Sequence, residues 1–140
     1  MKARVQWVGE AMFLGESGSG HAVLMDGPPE LGGRNLGVRP MEMLLLGLGG
    51  CASFDVVSIL KKSRQQVINC EARLEAERAG VVPKVFSQIR LHFVVKGRSL
   101  AAAQVARAVQ LSAEKYCSAG VMLERAGVVL SHSYEVIEAD

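Results

Sequence analysis

Aromatic residues are scarce in this chain, making up 5% of 140 residues with a single tryptophan, whereas 49% of the chain is hydrophobic. The core must therefore be built from Val, Leu, Ala and Met, in a chain long enough to form one globular domain over residues 1–140. No block of one charge exists. Sixteen basic and fourteen acidic residues are interspersed, for a net charge of +2, which argues against nucleic acid and charged membrane surfaces as partners. A leader is lacking too: Met1 to Val5 runs straight into alternating sequence, so export is not expected and the cytoplasm is. Three cysteines, an odd number without a CxxC pair, do not make a disulfide scaffold. In a reducing cytosol, any pair among them is redox-active before it is structural. Nor is there an internal repeat, a Gly-x-Ser-x-Gly elbow or a phosphate loop, since Gly15 to Gly20 lacks the lysine and following helix. The three histidines, His21, His92 and His132, have no paired spacing, so no metal or other cofactor is expected.

What is present is one long apolar stretch, Pro40 to Arg64. Proline suits a first helical position, and Glu42 in the first turn and Lys61, Lys62 and Arg64 in the last complement the helix dipole. Leu44, Leu48, Cys51, Asp55 and Ile59 fall on one stripe at helical spacing, which puts a thiol and an acid among aliphatics. Gly47, Gly49 and Gly50 interrupt the run at about 1 kcal/mol each relative to alanine, so a second helix, from this chain or a partner, is expected to cross near Cys51. A membrane span is the rival reading of this length and apolarity. Mid-segment Asp55 and the rest of the chain argue against it.

Before this stretch, Ala3 to Val8, Met12 to Leu14 and Ala22 to Met25 read as a hairpin or meander, followed by a long loop from Asp26 to Asn35 that either shapes a site or merely connects. After it, Val67 to Ala79 alternates with a period of two, placing Ile68 and Cys70 on the inward set. Cys70 is accordingly read as a small buried hydrophobe. Val85 to Val95 pairs with that strand as an antiparallel hairpin. Ser99 is a candidate cap for a helix through Ala101 to Tyr116, Ser118 restarts a short helix that Gly127 ends, and Val128 to Ile137 is a last strand. The order predicts an α+β fold with helices packed on antiparallel sheets.

Cys51 and Cys117 remain for chemistry. If their helices cross, the two can meet within the Cα separation of roughly 4.4 to 6.8 Å that a disulfide needs. Two buried, inert cysteines are the plain alternative.

The segment Pro40-Met41-Glu42-Met43-Leu44-Leu45-Leu46-Gly47-Leu48-Gly49-Gly50-Cys51, followed by Asp55-Val56 and Ile59 to Lys62, resembles the first-cysteine motif of the OsmC/Ohr family. Pro83 to Phe86 resembles its strand lead-in, and Arg107 to Val109 through Tyr116-Cys117 and Met122-Leu123 resembles its second-cysteine helix. Ser17 to His21 with Met25-Asp26 is similar to the N-terminal hairpin of an OsmC-like subgroup. The resemblance implies an intertwined homodimer, with two long central helices flanked by antiparallel sheets. It also implies a peroxiredoxin-like, thiol-dependent hydroperoxide reductase of the oxidative stress response. Cys51 would be the peroxidatic cysteine and Cys117 the resolving one, with an organic hydroperoxide as substrate and an external dithiol as reductant. Peroxidase members supply an arginine from the N-terminal hairpin and a glutamate directly after the helix-opening proline. Here Met12 to Leu14 are neutral, and Met41 stands after Pro40 with Glu42 one residue on. Glu42, Arg39, Arg34 and Asp55 are the candidate supporting residues; Asp55 would oppose a nearby thiolate if ionised, or else bonds a backbone or partner-chain group. The alternative is a non-catalytic dimer that binds a small apolar ligand near Cys51 or senses redox state.

Overall fold

A computed structural model describes all 140 residues. In chain order the elements are β1 (Ala3–Gly9), β2 (Met12–Ser17), β3 (Ala22–Met25), a 3-10 turn (Pro29–Leu31), α1 (Pro40–Lys62), β4 (Gln66–Arg78), β5 (Phe86–Arg98), α2 (Ala102–Leu111), a π-helical turn (Ser112–Tyr116), α3 (Ser118–Arg125) and β6 (Val129–Glu138). This is the α+β class expected. The chain divides into two compact units, Met1–Leu44 and Leu45–Asp140.

The first unit is the expected meander, with β1, β2 and β3 antiparallel in that order. Its long loop is organised by Asp26, which is buried and accepts backbone N–H bonds from Gly27 at 2.7 Å, Arg34 at 3.2 Å and Leu36 at 3.1 Å. Burial pushes this carboxyl up, but the three N–H groups and the charge of Arg39 outweigh it and hold it below its ordinary value. The start of α1 is capped by Glu42, which accepts the backbone N–H of Arg39 at 2.8 Å. That is one half of a capping box.

In the second unit α1 buries Leu48, Gly49, Ala52, Val56 and Leu60. The buried row is therefore shifted by one position from the expected stripe. A one-residue step turns a helix by about 100°, so Cys51, Asp55 and Ile59 ride half-buried on its flank, and Leu44 is 54% exposed. Within this chain no helix crosses at the glycines. A Cβ on Gly49 would lie 2.8 Å from Leu74 Cδ1 of β4, while Gly47 and Gly50 meet nothing within 4 Å. It is a sheet side chain that comes close.

The second sheet has the order β4-β5-β6, with β5 central. Ile89, Leu91, Phe93 and Val95 of β5 are almost fully buried. β4 and β5 pair antiparallel as expected. β6, however, pairs parallel to β5, because α2 and α3 carry the chain back across the sheet and a returning crossover makes a parallel pair. This sheet is mixed. Ile68 is 52% exposed, not inward, since the register shifts between Val67 and Asn69 and the bulge turns it out. Ser99 does not cap α2. It has φ of 50° and its N–H goes to the Glu138 carboxylate at 2.9 and 3.2 Å. Ala101 precedes the helix instead, its N–H satisfied by Gln65 Oε1 at 2.9 Å.

Leu60 is wholly buried on α1. Truncation in Leu60→Ala is expected to cost about 2–5 kcal/mol through lost burial and a residual cavity, read as a lower urea midpoint with an unchanged slope.

Candidate functional site

The second helical region is interrupted where the chemistry lies. After α2, the N–H of Cys117 bonds to the carbonyl of Ser112 at 2.9 Å, five residues back, which is the hydrogen bond of a π turn. The extra residue lets the chain leave the helix. Cys117 takes an extended conformation, with φ −75° and ψ 96°, and becomes the N-cap of α3. Its Sγ accepts the Gly120 N–H at 3.3 Å. A side chain at Gly120 would crowd that sulfur, since a Cβ there would sit 3.4 Å from Cys117 Sγ and 3.5 Å from Leu130 Cδ1.

Ser112, 1% exposed, joins this turn to α1. Its hydroxyl donates to the Ala52 carbonyl at 3.2 Å and also lies 3.5 Å from Asp55 Oδ2. With Ala52 held in this way, its neighbour Cys51 and, one turn on, Asp55 come to the same place as Cys117. The two sulfurs and a carboxylate oxygen of Asp55 all lie within 4.8 Å of one another. Both thiols are free. These three are the side chains here with the atoms and spacing to hold a metal ion; His21 and His92 are on other elements, His92 Nδ1 pairing with Ser133 Oγ at 2.8 Å.

Electrostatics acts on Cys117 and Asp55. Burial raises the Cys117 thiol, the Gly120 N–H opposes that, and its hydrogen bond to Cys51 and the nearby charges of Cys51 and Asp55 raise it further, to about 11. Cys117 thus keeps its proton at neutral pH. Asp55 is also raised, by burial against the opposing bond from Ser112. Cys70 is half-buried on β4 and raised by burial alone, in keeping with its reading as a packing residue.

Of the sequence-derived residues, Cys51, Cys117 and Asp55 are brought together. The others are engaged within residues 1–44: Glu42 caps α1, Arg34 pairs with Glu10 at 3.7 Å, and Arg39 bonds Asn35 Oδ1 at 2.8 Å and the Gly37 carbonyl at 3.2 Å. Ser112 was missed as a site residue. It falls inside the helix expected from Ala101 to Tyr116, where a hydroxyl three residues after Val109 is its one signal. Beside the cluster, Asp55, Ser58, Ile59, Lys62, Arg107 and Tyr116 line an open cleft of about 400 Å³.

A family profile described as OsmC-like protein matches residues 32–133. Protein YhfA of Escherichia coli K12 is 55% identical over 142 residues, covering 99% of this chain and 100% of its own. A crystal structure of a hypothetical protein from Aquifex aeolicus VF5 superposes with a TM-score of 0.86 at 31% identity, over 99% of this chain and 97% of that one. An organic hydroperoxide resistance protein from Legionella pneumophila shares the fold at a TM-score of 0.73 and 17% identity, over 96% of this chain and 95% of that one.

The raised thiol makes a stability prediction. Because the folded chain keeps the Cys117 proton that an unfolded chain releases near the ordinary value of 9.0, this contribution is complete below pH 9 and is lost as pH rises toward 11. Thermal melts between pH 8 and 11 are expected to show a falling midpoint, with a shallower fall in Cys117→Ser.

Proposed function

The chain belongs to the OsmC-like family, and on that premise we propose that it is a thiol-dependent peroxidase that reduces organic hydroperoxides in oxidative-stress defence. The observation that carries this reading is the Cys51–Cys117 pair, two free thiols whose sulfurs lie within 4.8 Å of each other, with the Cys117 proton held by burial. Cys51 is the peroxidatic residue. Its sulfur attacks the terminal oxygen of the hydroperoxide, the O–O bond breaks, and the alcohol leaves as Cys51 becomes a sulfenic acid. Cys117, which still carries its proton, then condenses with the sulfenic acid, forming a disulfide and releasing water. An external dithiol reduces the disulfide and is itself oxidised, so the net reaction converts one hydroperoxide and two thiols into an alcohol, a disulfide and water. A reducing compartment, the cytoplasm, supplies such a dithiol.

The open cleft beside Asp55 gives a small substrate a route to the cluster, with Ile59, Leu111 and Tyr116 to receive an apolar tail. The name of the Legionella protein, organic hydroperoxide resistance, supports the same chemistry by family relationship.

The reading includes a homodimer. α1 is long and apolar enough to cross a membrane by length and composition alone, with mean hydropathy 1.9 over a window of which 28% is buried. Its outer face presents Leu46, 61% exposed, and Phe54, 75% exposed, beside the uncrowded Gly50. A second copy of the chain covers this face in the proposed assembly. Light scattering should give twice the chain mass, and Phe54→Glu is expected to shift the protein to monomer.

Activity is tested with cumene hydroperoxide and a dithiol. The expected outcome is multiple turnovers by the wild type and none by Cys51→Ser, and, with no dithiol added, consumption of about one equivalent per chain by Cys117→Ser, which then stops at the sulfenic acid. Turnover by Cys51→Ser at the wild-type rate would sink the proposal. Co-purification of an apolar ligand without any turnover would favour the binding module.

A further inference from the structure

We propose that the reduced protein has a three-ligand Zn²⁺ site made of Cys51 Sγ, Cys117 Sγ and an Asp55 carboxylate oxygen, with the fourth tetrahedral position open. The three donor atoms already lie within 4.8 Å of one another on a flank of α1 and the first residue of α3's cap. Tetrahedral zinc with Zn–S bonds of about 2.3 Å sets its sulfurs about 3.8 Å apart, so the cluster needs a contraction of at most about 1 Å. The donor set selects the ion. Two thiolates and one carboxylate suit zinc, whereas Mg²⁺ and Ca²⁺ take oxygen ligands alone.

The surrounding contacts hold the ligands in place. Ser112, itself fixed to the Ala52 carbonyl, reaches Asp55 Oδ2, and the Gly120 N–H bonds to Cys117 Sγ. Such outer contacts orient metal ligands and sustain affinity. Cys51 is half-buried and Cys117 is 2% exposed, so the cation enters from the Asp55 side, where the cleft opens. A three-ligand site with an open position is the exchangeable kind, not the closed four-ligand structural kind.

Binding forms two Zn–S bonds and one Zn–O bond and releases the thiol protons to solvent, with no electron transferred. Sulfurs bound to zinc do not condense with each other, so Zn²⁺ and oxidation to the disulfide exclude one another. That regulatory consequence rests on the peroxidase reading; the metal site itself does not.

The test uses full-length reduced protein, ZnCl₂ or CoCl₂ as the only added ligand, and equilibrium dialysis. The expected result is about one Zn²⁺ per chain. Co²⁺ should give a thiolate-to-cobalt charge-transfer band and intense tetrahedral visible absorption. Iodoacetamide treatment, or prior oxidation to the disulfide, should abolish uptake without any substitution that threatens folding. Cys51→Ser and Cys117→Ser should weaken binding by more than about 100-fold, beyond the loss typical of outer-contact changes, and Cys70→Ser should leave it unchanged. No uptake, uptake that survives alkylation of Cys51, or a cobalt spectrum without the charge-transfer band would overturn the site. Hydroperoxide turnover is assayed separately on metal-free protein. Zinc uptake with no turnover would defeat the peroxidase reading and leave the site standing, and turnover without uptake would do the reverse.

Discussion

The hydroxyl of Ser112 is the contact on which the geometry of the candidate site turns. It is buried at the point where α2 gives way to the π turn, and it reaches both the Ala52 carbonyl and Asp55 Oδ2 on α1. A buried hydroxyl without a partner would cost about 1–3 kcal/mol, so the contact disfavours other docking positions of the turn against α1. The position of the turn decides where Cys117 lies. The same few atoms therefore fix both helix packing and the separation of the two sulfurs.

The two cysteines sit on different kinds of element. Cys51 stands in the middle of a long α-helix, half-buried on its flank. Cys117 stands at a break between helices, where the π turn and the cap of α3 bury it and give it one donor, Gly120 N–H. Burial of a thiol favours the protonated form, and a single N–H bond offsets only part of that. In the proposed peroxidase, this placement is what assigns the attack to Cys51 and the resolution to Cys117.

Much of the fold could be read in the sequence because its signals were local. Pro40, Glu42 and the terminal lysines bounded α1, and the alternation from Val67 to Ala79 marked β4. The parallel pairing of β6 was not legible. Its residues alternate as well in a parallel ladder as in an antiparallel one, and the choice was made by the crossover through α2 and α3. The one-position shift of the buried face on α1 has the same origin. Leu48, Ala52, Val56 and Leu60 are as apolar as the expected stripe, and only packing against the sheet, with Leu74 over Gly49, selects between them. At the site, the resemblance picked out Cys51 and Cys117, and Asp55 came from helical spacing. Glu42 was legible as a first-turn acid, which is the contact it makes. Ser112 was hidden because its partner is a backbone carbonyl on another helix, and no spacing in the chain encodes that.

Asp55 was expected to oppose a negative sulfur beside it, and the structure shows how that opposition is limited. Three ionisable groups within 4.8 Å cannot all be charged at once, since each like-charge pair at that distance costs about 3 kcal/mol at the effective dielectric of a protein site. The cluster must keep protons, and both Cys117 and Asp55 are shifted in the direction that keeps them. Closing a disulfide takes two of the three groups out of this competition. Asp55 is raised by burial against the bond from Ser112, and its charge is one of the influences that raise Cys117, so the coupling runs from the carboxylate to the Cys117 thiol. A cation bound between the sulfurs acts on the same balance from the other side, letting all three groups be negative together.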